Sequence, residues 1–264
     1  MKGKISVIDR RGIKIHTFTS SQDGIFVNSH IIETKNRLVM VDTQLLREHA
    51  KEAKEYGESL GKPIDRVIIT HSHPDHWFGL EYFERLPIYS LAETKEEIEK
   101  FGGTFINAEQ KLFGNAVTTR VILPEYEIKG GVENIDGLEY EFEKVDDAEA
   151  GVQLLIKLPA VATMIVQDIA FNNVHLFTGQ KAFDNWIRVL KDLKNRKGYD
   201  TVLVGHGETN DMSVFDRNIA YLEYAKKIFE SVDKGNELKQ QLIKKFPGYR
   251  AQVILDISNS YLYR

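Results

Sequence analysis

Six consecutive residues, His71-Ser72-His73-Pro74-Asp75-His76, gather three of the chain's eight histidines and a carboxylate. They follow Arg66-Val67-Ile68-Ile69-Thr70, an apolar β-branched run that reads as a buried strand. A fold that accepts this sequence must end a strand in the interior, start a helix almost at once, and give four polar side chains something to bind. In extended backbone, side chains at i and i+2 point the same way, so His71 and His73 can grip one cation together. Asp75 and His76 begin the following turn and point elsewhere, which suits a second ion close by. Helix capping accounts for Asp75 alone, and surface placement for a single histidine, but neither accounts for the cluster. A helix is predicted over residues 76–85.

Composition narrows the chemistry. The 264 residues are enough for one sizeable α/β core. Formal charge is −4, with Lys and Arg interspersed among Asp and Glu, so no basic footprint for nucleic acid forms. Cysteine is absent, which removes disulfides, thiolate metal sites and cysteine nucleophiles; any ion must be held by His, carboxylate and water. The N-terminal residues contain no signal-like apolar stretch, and no run reaches the roughly 18 apolar residues of a membrane span. A cytoplasmic protein without membrane contact is the expectation.

Periodicity predicts strands over residues 4–8, 13–18, 24–33 and 37–41, then an exposed amphipathic helix over 45–60. A short strand is expected at 88–91, a helix at 94–101 closed by Gly102-Gly103, further helix at 105–113 and a strand at 117–122. Strands at 138–145, 151–158 and 163–168 follow, then a helix at 183–197, a buried strand at 201–204, and helices at 212–231, 236–245 and 249–261. This order predicts an α/β four-layer αββα sandwich. Residues 1–211 would form the domain that carries the motif, and 212–264 a C-terminal helical extension packed on it. Tyr221, Tyr224, Phe229, Tyr261 and Tyr263 give that extension aromatic surface, open to use in a homodimer, in a lid over the site, or as ordinary core.

Further ligands belong at strand ends. Val202-Leu203-Val204-Gly205-His206-Gly207 runs a buried strand into a histidine between glycines, which let the backbone turn tightly beside an ion. Ile165-Val166-Gln167-Asp168 ends an apolar run in a carboxylate, which could cap or hydrogen-bond a turn but at such a strand end can also bridge two cations; Val39-Met40-Val41-Asp42 likewise ends an apolar run in an acidic residue. His175, in a polar segment, is open to a substrate or supporting contact or to a plain loop role.

Taken in order, these residues resemble the metallo-β-lactamase-fold hydrolase superfamily across residues 24–210. His71, His73, Asp75 and His76 match its HxHxDH signature. Asp42 sits where that family supports its metal loop, Asp168 resembles its bridging aspartate, and His206 its last metal histidine. The resemblance implies two divalent ions, zinc foremost with manganese or iron as alternatives. It implies a metal-bound hydroxide as nucleophile, with Asp75 accepting or relaying the proton. The substrate would be a small molecule with an ester, lactone, thioester or related bond.

Two departures stand out. Gln167-Asp168 replaces the family's usual Gly-Asp, and no histidine lies between His76 and His175, where the third imidazole of the first ion belongs. The family spacing of about nineteen residues before the bridging aspartate lands on Glu149, with Asp147 as the fallback. A vacant or single-ion site is the third alternative. With Glu149 the first ion would have His71, His73 and Glu149, the second Asp75, His76 and His206, and both would share Asp168. An oxygen ligand in place of imidazole makes the ion a weaker Lewis acid and shifts preference somewhat from zinc. The missing histidine also fits a binding protein that kept the fold and lost turnover; retention of the other ligands argues against it. Residues 171–186 resemble a hydrolase-like branch more than the antibiotic-degrading enzymes.

Overall fold

The computed structural model describes residues 3–209 and 211–263. Strands β1 (Lys4–Arg10), β2 (Ile13–Thr19), β3 (Asn28–Glu33) and β4 (Leu38–Val41) form an antiparallel meander. Helix α1 (Arg47–Ser59) then carries the chain over to β5 (Ile64–Ile68), parallel to β4, as parallel neighbours require. The short helix α2 (Pro74–Trp77) leads to β6 (Ile88–Ser90), and α3 (Ala92–Phe113) to β7 (Tyr126–Glu127), completing a sheet in the order β1 to β7. The second sheet is a meander of β8 (Gly131–Ile135), β9 (Leu138–Asp146), β10 (Val152–Leu158) and β11 (Thr163–Phe171). Helix α4 (Phe183–Asn195) crosses to β12 (Thr201–His206), parallel to β11 at the sheet's edge. Helices α5 (Ser213–Phe229), α6 (Gly235–Lys245) and α7 (Val253–Leu262) close the chain.

The side-chain alternation of the strands stacks these layers. Ile15, Ile32, Val39, Val41 and Ile68 of the first sheet bury themselves against Leu154, Ile156, Ile165 and Leu203 of the second. Their neighbours Ile31, Met40 and Val67 join the other apolar core, with α1 so close over Ile31 that a Cβ on Gly57 would lie 3.3 Å from its Cδ1. Met164, Val166, Val202 and Val204 likewise alternate to the opposite face of the second sheet, and both α4 and α5 contact β11. Trp186 of α4 is anchored by its indole N–H, which donates to the Ile169 carbonyl at 2.8 Å. The molecule is therefore the predicted αββα sandwich, and α5 packs against α4 and β11.

Local departures have local causes. The helix expected over 76–85 stops at Trp77 and tightens into a 3₁₀ turn over Phe78–Tyr82. Gly79 is pressed onto the loop after β4: its N–H donates to Gln44 O, and a Cβ there would lie 1.9 Å from Thr43 O. Gly102-Gly103 does not close a helix; α3 runs through it for 22 residues. Gly102 is a point of close approach, where a Cβ would meet Val121 and Trp77 at 3.0–3.2 Å. The strand expected at 117–122 is irregular chain, and Tyr126–Glu127 pairs with β6 instead. The unpredicted β8 reaches β9 through Asp136-Gly137, both at positive φ (48° and 83°), as a tight hairpin demands.

The two kinds of glycine separate in a stability measurement. Gly79→Ala drives a methyl into a backbone carbonyl and is expected to lower unfolding free energy by at least about 2 kcal/mol in urea denaturation. Gly103→Ala, with open space around it in mid-helix, is expected to be neutral or to stabilise by up to about 1 kcal/mol.

Candidate metal centre

The site forms where the carboxyl ends of parallel strands β4 and β5 meet the bulged end of β11 and the last residue of β12. Asp42, fully buried just past β4 and in the left-handed region at φ 60°, points its carboxylate across the loop after β5. Oδ1 accepts the Thr70 N–H at 2.9 Å; Oδ2 accepts the Thr70 hydroxyl at 2.7 Å and pairs with His76 Nδ1 at 2.8 Å. The Gln167 amide donates to the same oxygen. With its lone pairs so engaged, Asp42 holds the ring of His76 and leaves Nε2 facing the centre.

Gln167 occupies the position that the family usually gives to glycine, and its φ of 42° shows why glycine suits it. The β-bulge there shifts the pairing of β11 with β12 and delivers Asp168. The glutamine side chain offsets that strain with polar contacts: besides Asp42, its Oε1 lies 3.0 Å from His30 Nε2. Burial pushes His30 down to about 4, so a neutral ring donates from Nε2 and accepts the Thr17 hydroxyl at Nδ1.

His206 ends β12 with Nδ1 2.9 Å from Ile25 O and its ring stacked on Phe171 at 4.7 Å, which directs Nε2 inward. Gly205 is mandatory beside it, because a Cβ would lie 1.7 Å from Asp168 Oδ1. Between β9 and β10 a tight turn, with Ala148 N–H donating to Ala150 O, buries Glu149 to 1 % exposure. Asp147 stands on the outside of that turn, its carbonyl bonded to Asn185. Of the two carboxylates weighed for the missing imidazole, the fold turns Glu149 inward.

Besides Asp42, His71 and His76, where Asp42 is already engaged by hydrogen bonds, two four-residue groups of donor atoms result: His71, His73, Glu149 and Asp168; and Asp75, His76, Asp168 and His206. Within each, one donor atom per residue lies within 4.8 Å of every other. His73 Nδ1 is 3.1 Å from Glu149 Oε1, His71 Nε2 is 3.7 Å from Glu149 Oε2, and Asp75 Oδ2 is 3.1 Å from His206 Nε2. Asp168 lies 3.8 Å from His71 and 3.3 Å from both His76 and His206, so it faces both groups.

These residues fit divalent cations. His71 Nε2, His76 Nε2, Glu149 Oε1 and Asp168 Oδ1 are buried polar atoms without a hydrogen bond among the described residues, an expensive condition that a shared cation relieves. Without one, burial pushes His71 well down and lifts Glu149 to about 7, against the pull of His73. Desolvation also opposes charge on His206, but Asp168 and Asp75 outweigh it and hold that ring up at about 10.

His175 lies elsewhere. It is fully buried, Nδ1 2.9 Å from the Tyr221 hydroxyl, with its ring beside Tyr249. It belongs to neither donor group and does not line the cavity over the centre; of the roles left open to it, a site contact or a loop position, its place is in packing beneath the C-terminal helices. That cavity, about 160 Å³, has His73, Asp75, Glu149, Asp168 and His206 at its base. Its walls include Phe105 of α3, Phe177, and Ile254 and Ile257 of α7, which no local sequence signal had marked.

The family described as the Metallo-beta-lactamase superfamily matches residues 23–179, and the chain belongs to it. Among solved structures it resembles a metallo-beta-lactamase from Pontibacter korlensis (TM-score 0.66, 19% identity, 83% of this chain and 99% of that one). It is equally similar to DIM-1 metallo-beta-lactamase (TM-score 0.66, 17% identity, 85% and 99%). These likenesses establish the fold. Two curated relatives have other names: alkyl/aryl-sulfatase BDS1 of Saccharomyces cerevisiae, 24% identical over 183 residues, and a linear primary-alkylsulfatase of a Pseudomonas species, 33% identical over 89. The matches cover 56% and 33% of this chain but only 28% and 15% of those proteins, so the chain spans less than a third of either.

Two measurements test the donor set. Elemental analysis of protein loaded with zinc and desalted is expected to give about two ions per chain, falling to about one in Glu149→Ala; an unchanged count contradicts the role given to Glu149. Chelator competition is expected to show apparent affinity rising with pH. Below about 10 an ion must displace the His206 proton, and each displaced proton weakens binding about tenfold per pH unit as pH falls.

Proposed function

We propose that the chain is a metal-dependent hydrolase of a small molecule. The observation that carries this reading is the pair of inward-facing donor groups, sharing Asp168, at the base of an open cavity with largely apolar walls. Two divalent cations held by these residues would supply Lewis acidity and bring the pKa of a water towards neutrality. Zinc suits the mixed His and carboxylate set, with manganese or iron as alternatives because Glu149 replaces an imidazole.

The chain's own residues supply the rest. Asp75 is the proton acceptor: it lines the cavity, is 8% exposed, and lies beside His76 and His206, whose positions are fixed through Nδ1 by Asp42 and Ile25 O. In the metal-free site desolvation works against its charge, but His76 and His206 hold it well below the usual aspartate range; once those rings give up their protons to bind, the cations themselves would keep it ionised. Phe171 and Phe177 exclude water around the reacting bond, which strengthens every electrostatic contact there. No serine or cysteine nucleophile is needed.

The bond cleaved is an ester, lactone, thioester or related linkage. The names of the two sulfatase relatives favour a second reading, an alkyl sulfate ester, whose hydrocarbon part also suits apolar walls. Assays of the zinc-loaded protein on an aryl ester, a lactone, a thioester and an alkyl sulfate decide among them. Turnover of at least one is expected, abolished by chelation, restored by zinc, and reduced by a factor of about 10² or more in Asp75→Asn. Loaded protein that turns over none of the four contradicts the hydrolase reading and favours a ligand-binding protein.

A further inference from the structure

Phe105, Glu109 and Phe113 stand four residues apart on α3 and share one face of it, and all three line the cavity over the metal centre. The same cavity is closed by Phe177 and by Ile254 and Ile257 of α7. An apolar residue is the natural middle member of such a stripe, yet the position holds a carboxylate. Glu109 is half-buried, and its carboxylate has no hydrogen bond or ion pair among the described residues. The chain has 35 Lys and Arg, but none lines this cavity. The other charged groups that line it are the proposed metal ligands at its base, and Gln180 and Tyr261 are the further polar side chains of its wall, so Glu109 is the one carboxylate of the lining outside the donor set. Burial lifts its carboxyl to about 7, and the charge of Asp75 adds to the lift.

An acid in this setting interacts differently with differently charged substrates. A carboxylate or sulfate carried on the body of a bound molecule meets repulsion and finds no compensating cation. An ammonium group meets an unpaired acceptor in a medium of low dielectric, where a charge-assisted hydrogen bond is strong. A purely hydrocarbon body leaves the acid desolvated and unpaired, an intermediate case.

We propose that Glu109 is a specificity-determining residue, which selects substrates whose apolar body carries an ammonium group and rejects those that carry an anion there. The proposal rests on the hydrolase reading of the same cavity and narrows its substrate class. The labile bond would lie over the metal centre and the amine against α3.

Three nitrophenyl esters test it with zinc-loaded protein at about pH 8, where Glu109 is ionised: the hexanoyl ester, its amine-terminated analogue, and the carboxylate-terminated adipoyl ester. Expected is an order of kcat/KM of amine over hydrocarbon over carboxylate, with an amine-to-carboxylate ratio on the order of 100. In Glu109→Gln that ratio is expected to fall about tenfold or more. General damage to the site lowers both charged esters together and leaves the ratio alone, so an unchanged ratio overturns the proposal. Matched amine- and carboxylate-terminated hydroxamates, which bind through the metal, give the same ratio as Kd values and need no turnover. If none of these esters is cleaved, the hydrolase reading is decided by the lactone, thioester and alkyl sulfate assays, and the hydroxamates still decide the selectivity. An amine preference that disappears in Glu109→Gln supports the selectivity, and equal Kd values for the two hydroxamates in the wild type overturn it.

Discussion

The buried carboxylate of Asp42 is the contact around which the two halves of the molecule are organised. It accepts the Thr70 N–H and hydroxyl, holds the His76 ring and receives the Gln167 amide, so one side chain ties β4, the loop after β5, α2 and β11 together. Hydrogen bonds to a charged group in the interior are worth roughly 1.5–3 kcal/mol each, and losing one leaves a buried charge exposed to its own desolvation penalty. The left-handed backbone at both Asp42 and Gln167 is tolerated because this network over-determines it. Asn28 adds a second clamp across the sheets, donating to Val204 O and Gly207 O on either side of His206.

The division of labour between base and walls follows from these clamps. The base collects donors from both sheets and fixes the free nitrogens of His76 and His206 by occupying their opposite ring atoms. Its polar atoms are left wanting partners, which is destabilising for an empty protein and useful for one that binds cations. The walls come from elements far apart in sequence, α3 and α7 among them, and are largely apolar, with Glu109, Gln180 and Tyr261 as their polar members. The C-terminal helices therefore contribute directly to the cavity, through Ile254 and Ile257, as well as packing on the sandwich.

How much of this was legible in the sequence depended on how local the cause was. The positions of Asp42, His71 and His206 are readable because an apolar β-branched run followed by a polar ligand leaves few alternatives, whereas Asp168, expected at a strand end, sits at a bulge inside β11, which runs on to Phe171. Glu149 came from spacing within the family pattern, and the fold turns it to face His71 and His73 where Asp147 faces out. Gly102-Gly103 misled because the contact that requires Gly102 to be small is with Trp77 and Val121, residues a local pattern cannot bring together. Residues 117–122 have strand-like composition, but the edge of β6 is taken by Tyr126–Glu127. His175, open in sequence to a site contact or a loop role, is buried against Tyr221; Glu109, which no sequence pattern singles out, faces the cavity. Both placements are long-range outcomes of packing against the C-terminal helices and α3.

A two-cation centre assembled from both sheets, with a glutamate in the place of an imidazole, is the claim on which the rest stands. Anomalous diffraction at the zinc edge from crystals of the zinc-loaded protein tests it most directly. Two peaks are expected, one touching His71, His73 and Glu149, the other Asp75, His76 and His206, with Asp168 in contact with both. A single peak, or a first site with Glu149 turned away from the ion, would contradict it.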